Sequence, residues 1–181
     1  MDIERGRPMQ DDTIFRIYSM TKPIICTALM MLYEEGKFQL FDPVAKFLPA
    51  FAKTKVYTEQ GEVDQKRPMQ IRDLFTHTAG FTYDFLENSP VSEIYRKERP
   101  VSNPNNSLET AINELARLPL AYQPGSKWHY SVSIDVLAHL IQVISGQPLR
   151  DFLRQRLFAP LGMEDTAFNV PAEKQNRLSA M

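Results

Sequence analysis

Apolar and polar positions along the chain predict a mainly helical protein with one small β-hairpin. Residues 24–33 are apolar on nearly every side, and Gly36 stands where a helix would stop, so 19–36 reads as one helix covered nearly all round. Ser19 is a good N-cap type. Pro23 sharpens the start, because proline is tolerated only in a first turn, where N–H groups lack intrahelical partners. Further on, Ile134, Leu137, Leu140, Ile141 and Ile144 share a face ahead of Gly146. Leu149, Phe152, Leu153 and Leu157 share another behind Pro148, in a helix ended by Pro160 and Gly162.

The remaining elements are shorter. A helix over 43–48 stops at Pro49, and residues 55–66 suggest a hairpin around Gln60-Gly61. "MQIRDLFTHTAGF", 69–81, reads as a short helix ending in a turn at Gly80. Residues 81–106 are loop-rich with a helix in "VSEIYRKE", Ser107 caps a helix to about Leu118, and Pro124-Gly125 is a turn. No set of long alternating strands appears, and no internal repeat.

Charge and composition narrow the function. Of 181 residues 43% are hydrophobic, enough for one domain with a sizeable core. The net charge of -1 offers no basic field for nucleic acid or anionic lipid. The uncharged apolar stretch 23–33 is well short of the ~20 residues that span a bilayer. The polar first dozen residues lack a signal-peptide core, so the cytoplasm is the default location. Cys26 is the one cysteine and reads as a small buried hydrophobe. His77, His129 and His139 have no close metal-ligand spacing, and no glycine-rich phosphate loop is present, so no cofactor is expected.

One spacing carries chemistry. Ser19 precedes Lys22 by one helical turn, so hydroxyl and amine share a face. Backbone N–H groups at a helix start also suit an oxyanion. Burial would lower the lysine pKa and let it act as a base. Taken alone, Ser-x-x-Lys is a weak motif that chance supplies readily. His77 with Asp73 one turn before it offers a competing Ser-His-Asp reading. The alternative for His77 is a histidine bonded to backbone.

Context decides more. "TIFRIYSMTKPI", then "LFTHTAGF", then the segment from "PGSKWHYSVSID" to "PLGMEDTAF" resemble, in order, the serine β-lactamase-related superfamily. That superfamily holds class C β-lactamases, DD-peptidases and family VIII esterases, and "IYSMTKP" is most similar to the esterases. The resemblance implies the helical lobe and nucleophile helix of the β-lactamase/DD-peptidase-like α/β fold, with most of the antiparallel sheet missing, as a single partial domain over 1–181. It implies Ser19 as the acylated nucleophile, Lys22 as its partner and Tyr130 as the second-motif tyrosine. In the family "HTAG" is a structural turn, which leaves His77 out of the chemistry. Val132 stands where class C enzymes carry an amide-binding Asn, which favours simple esters over β-lactams. Trp128, with Tyr83 and Phe85, is a candidate for lining the substrate pocket. The family's third motif, Lys-Thr-Gly or a variant, is absent, so a second oxyanion donor is missing.

The expected activity is therefore that of a serine hydrolase on small carboxylic esters. β-Lactamase or penicillin-binding activity stands as an alternative. A third reading is a catalytically silent fragment whose exposed apolar face invites self-association or a partner chain.

Overall fold

The structure, a computed structural model, describes residues 2–180. Its elements run α1 (Thr21–Glu34), β1 (Val56–Thr58), β2 (Gly61–Val63), α2 (Ile71–Phe75), α3 (Pro90–Glu98), α4 (Leu108–Leu115), α5 (Ser133–Ser145) and α6 (Leu149–Leu153). Short 3₁₀ turns at Tyr18–Met20, Val44–Lys46, Pro49–Lys53 and Ala172–Arg177 link them. Among the described residues, the strands form one two-stranded antiparallel sheet, Val56 opposite Val63 and Thr58 opposite Gly61.

Helix α5 is the hub. It packs against α1, α2, α4 and α6. Its sequence explains this: Val136, Leu137, Leu140 and Ile141 are fully buried, and each such side chain contributes about 1.5–3 kcal/mol by leaving water. Gly146 adopts the left-handed conformation that ends the helix, as the glycine there predicts. Ser107 caps α4 by accepting from the Thr110 N–H, and Ser89 caps α3 from Ser92 in the same way.

Several expectations change. The predicted helix over 19–36 begins later. Ser19 lies in a 3₁₀ turn, α1 starts at Thr21, and its N-cap position falls on Met20 with no side-chain cap. The physical reason is that the Ser19 hydroxyl is taken by Tyr130, from a distant segment, and by Lys22. Helix α1 is also not covered all round. Ile25, Ala28, Leu29 and Leu32 are buried, whereas Pro23 and Thr27 are exposed and Ile24, Met30 and Met31 half-buried. Cys26 is half-buried, and burial pushes its thiol pKa up.

Pro49 opens a 3₁₀ turn where a stop was expected, consistent with proline's fit to a first turn. The hairpin turns on Glu59-Gln60, one residue earlier than expected. The helix behind Pro148 changes pitch after Leu153 into a π-helical turn, Arg154–Phe158. Among the described residues no helix is long and apolar enough to cross a membrane.

Candidate active site

Two segments far apart in sequence meet at Ser19. The first is the turn before α1. Tyr18 has φ 43°, uncommon for a residue with a side chain, and the chain then tightens through Ser19 into α1. Lys22 follows within the first turn of α1, and its Nζ donates to Ser19 Oγ at 3.2 Å.

The second segment carries Tyr130 and is held by the turn at 76–80. Thr78 N–H bonds Asp73 O at 2.8 Å, and His77 takes φ 53°. Residues 121–129 then run alongside. Ala121 N–H bonds Gly80 O at 2.7 Å, Gly125 N–H bonds Thr78 O at 2.7 Å, and His129 N–H bonds His77 O at 2.8 Å. Gly80 has φ 95°, and a Cβ there would collide with the Tyr122 carbonyl, so the two strands of loop approach this closely only with glycine. Tyr130 emerges next, and its phenol oxygen lies 2.7 Å from Ser19 Oγ.

Lys22 sits between two phenols. Its Nζ is 4.7 Å from the centre of the Tyr130 ring and 5.8 Å from that of Tyr83. The electrostatics reverse one expectation from the sequence. Burial, the largest single influence, pulls the Lys22 pKa down. Hydrogen bonds to Tyr130 and Tyr83 and the phenols' charge together carry it above its ordinary value. Tyr130 moves the other way. Burial pushes its pKa up, but the hydrogen bonds from Lys22 and Ser19 and the Lys22 charge bring it below the ordinary tyrosine value. In this pair Lys22 is held as a cation, and Tyr130 is the group inclined to give up its proton.

Tyr83 and Asp135 were not singled out with Lys22 from the sequence. Burial and the Asp135 charge push Tyr83 up, which keeps its phenol protonated. Asp135, in the first turn of α5, is pushed up by burial and eased down by the Lys22 charge. Lys22, Tyr83 and Asp135 line one cavity of about 510 Å³, whose walls include Ile25, Ile134 and Phe168. The only signal in the sequence was position: Tyr83 follows the Gly80 turn, and Asp135 follows Tyr130 on the next element.

The other sequence candidates separate. Trp128 is 64% exposed, two residues before Tyr130. Phe85 is 71% exposed and stacks on Tyr83, with ring centres 4.9 Å apart. Tyr83 and Phe85 line a second cavity of about 550 Å³ with Arg96 and Asp135. Val132 is 1% exposed and belongs to the hydrophobic core, so its side chain is packed away where a substrate contact was expected. The Ser-His-Asp reading fails on geometry. Both Asp73 oxygens accept from Arg67, at 2.7 and 2.9 Å, and one also accepts the Gln70 N–H. The His77 ring lies instead against Tyr130. The sequence expected the imidazole to bond backbone; its Nδ1 lies instead 3.5 Å from the side-chain hydroxyl of Ser131.

The family model described as Beta-lactamase matches residues 1–181. The chain belongs to the beta-lactamase family. It is 40% identical over 185 residues to Protein Rv1367c of Mycobacterium tuberculosis (strain ATCC 25618 / H37Rv), covering 99% of this chain and 45% of that protein. It is 35% identical over 178 residues to Esterase EstB of Burkholderia gladioli, covering 96% of this chain and 43% of EstB. Among solved structures it resembles EstCE1, a hydrolase with promiscuous acyltransferase activity, with a TM-score of 0.83 and 32% identity over 98% of this chain and 45% of EstCE1. The chain thus spans less than half the length of these relatives. The relatives thus include proteins named as an esterase and a hydrolase.

Proposed function

We propose that this chain carries the nucleophile portion of a serine hydrolase that acts on small carboxylic esters through an acyl-enzyme. The observation that supports it most is the Ser19 hydroxyl, 2.7 Å from the Tyr130 phenol and 3.2 Å from the Lys22 ammonium. Tyr130, as phenolate, takes the Ser19 proton while Ser19 Oγ bonds to the ester carbonyl carbon. Lys22 keeps its proton throughout and stabilises the phenolate. The tetrahedral oxyanion meets the backbone N–H of Ser19. Tyr130 then returns its proton to the departing alkoxide as the carbon–oxygen bond breaks. Water repeats the sequence in reverse and releases the acid.

The ester preference rests on the similarity to EstB and EstCE1. A second reading, penicillin binding, draws on the 32% identity to a putative D-alanyl-D-alanine carboxypeptidase of Escherichia coli (strain K12), over 87% of this chain and 34% of that protein.

Intact mass tests both. The chain is incubated with an activated acetyl ester, a fluorophosphonate or a penicillin. An acetyl or phosphonyl adduct that disappears in Ser19→Ala supports the esterase reading. A penicilloyl adduct supports the second. No adduct with any of the three after long incubation sinks both for this chain.

A further inference from the structure

Three residues with side chains have positive φ in the described chain, and two of them, Tyr18 and His77, flank the Ser19–Tyr130 contact. Left-handed backbone at a residue other than glycine persists only where the surroundings enforce it, and such residues gather at functional sites. At His77 the enforcement is visible. Its N–H bonds Leu74 O at 3.3 Å, its carbonyl accepts from His129, and the next N–H is tied to Asp73 O.

The consequence is where the side chain goes. The imidazole lies over the Tyr130 ring with centroids 4.9 Å apart and planes tilted by 42°. Its Nδ1 is 3.5 Å from the hydroxyl of buried Ser131, which in turn bonds Ser133 at 2.8 Å, at the first residue of α5. Tyr83 contacts the Tyr130 ring too, at 5.5 Å and 46°. Two aromatic partners thus bear on the ring whose oxygen meets Ser19.

From this packing we infer that His77 is a positioning residue, which fixes the Tyr130 ring so that its oxygen stays in reach of both Ser19 and Lys22. His77 touches neither Ser19 nor the reacting carbon and moves no proton. Burial, followed by the nearby Lys22 charge, holds the imidazole pKa below its ordinary value, so the ring packs on Tyr130 as a neutral group. The inference deepens the reading under Proposed function and rests on it for its kinetic arm only.

The test compares wild type with His77→Asn, which tolerates left-handed backbone but has no ring, and His77→Phe, which restores a ring without nitrogens. Two readouts are taken: the rate of Ser19 adduct formation, and the Tyr130 phenol titration followed by NMR with labelled tyrosine. His77→Asn should slow the adduct about 10²-fold, the scale of a misplaced reacting group, and return the Tyr130 titration toward the ordinary tyrosine value. His77→Phe should recover most of the rate, which a hydrogen-bonding or proton-transfer role would not allow. A His77→Asn protein with wild-type rate or wild-type Tyr130 titration overturns the inference, as does a His77→Phe protein no faster than His77→Asn.

If wild type itself takes no adduct, the hydrolase reading fails while the titration still judges His77. If neither variant folds, proton contacts between the His77 and Tyr130 rings in wild type decide. Their presence supports the packing, and their absence overturns it.

Discussion

Two polar clusters in this molecule are built to opposite ends. Around Asp73 every acceptor is filled. Arg67 grips both carboxylate oxygens, Gln70 N–H adds a third bond, and Asp73 is 2% exposed. Gly125 leaves room for this grip, since a Cβ there would run into the Arg67 guanidinium. Around Ser19 the hydroxyl is exposed and its partners Lys22 and Tyr130 are half-buried, and each relies on the others. The hydroxyl has one phenol and one ammonium as its partners. A saturated cluster holds a turn in place. An open one leaves lone pairs and protons available to a reactant. The first supports the second, because the turn that Asp73 begins carries His77 and, through His129, Tyr130.

Breaking the open cluster should cost chemistry and little stability. Ser19→Ala should abolish covalent labelling completely and leave the unfolding free energy from urea denaturation within about 0.5 kcal/mol of wild type. Tyr130→Phe keeps the ring and removes the oxygen. It should slow labelling by about 10²–10⁴, the usual weight of a positioned acid–base group, again with a near wild-type midpoint. A large loss of stability in either variant would mean that the two clusters do not differ as described.

Breaking the saturated cluster should do the reverse. Asp73→Ala leaves Arg67 without its partner and removes the Gln70 bond at the start of α2. Urea denaturation should show a loss of about 3 kcal/mol, as for a buried pair deprived of one member. Molecules that remain folded should still label at Ser19.

A smaller effect separates stability from chemistry by pH. His77, His129 and His139 are all held below the ordinary value of 6.5, chiefly by burial. The unfolded chain therefore binds protons first as pH falls through 6.5, and folding stability declines below that point. Asp135, pushed up by burial, works in the opposite sense as it protonates. Thermal unfolding at pH 7.5, 6.5 and 5.5 should show a falling midpoint. A flat or rising one would contradict the burial of the three rings.

Local patterns made much of the scaffold legible. The face of α5, its stop at Gly146, the Ser107 cap and the hairpin all follow from nearest neighbours in sequence, and nothing distant overrides them. Ser19 shows the limit. Its type predicted a helix cap, but Tyr130, 111 residues away, claims the hydroxyl. Lys22 shows it again. Burial alone implies a lowered pKa, and the two phenols that reverse the sign arrive from separate loops. Val132 was legible as a departure from the family pattern, yet the direction of its side chain, into the core, is set by how α5 docks. His77 was rightly set apart from a triad, and its contact with Tyr130 depends on a backbone conformation that the sequence only hints at.

The central claim is that Tyr130, lowered by Lys22, receives the Ser19 proton. The pH dependence of Ser19 labelling by an activated ester, read by intact mass, tests it most directly. The rate should rise with pH and level off at a midpoint below 10.0, the ordinary tyrosine value, and that rise should vanish in Tyr130→Phe. A profile that is flat in wild type, or unchanged in Tyr130→Phe, would contradict it.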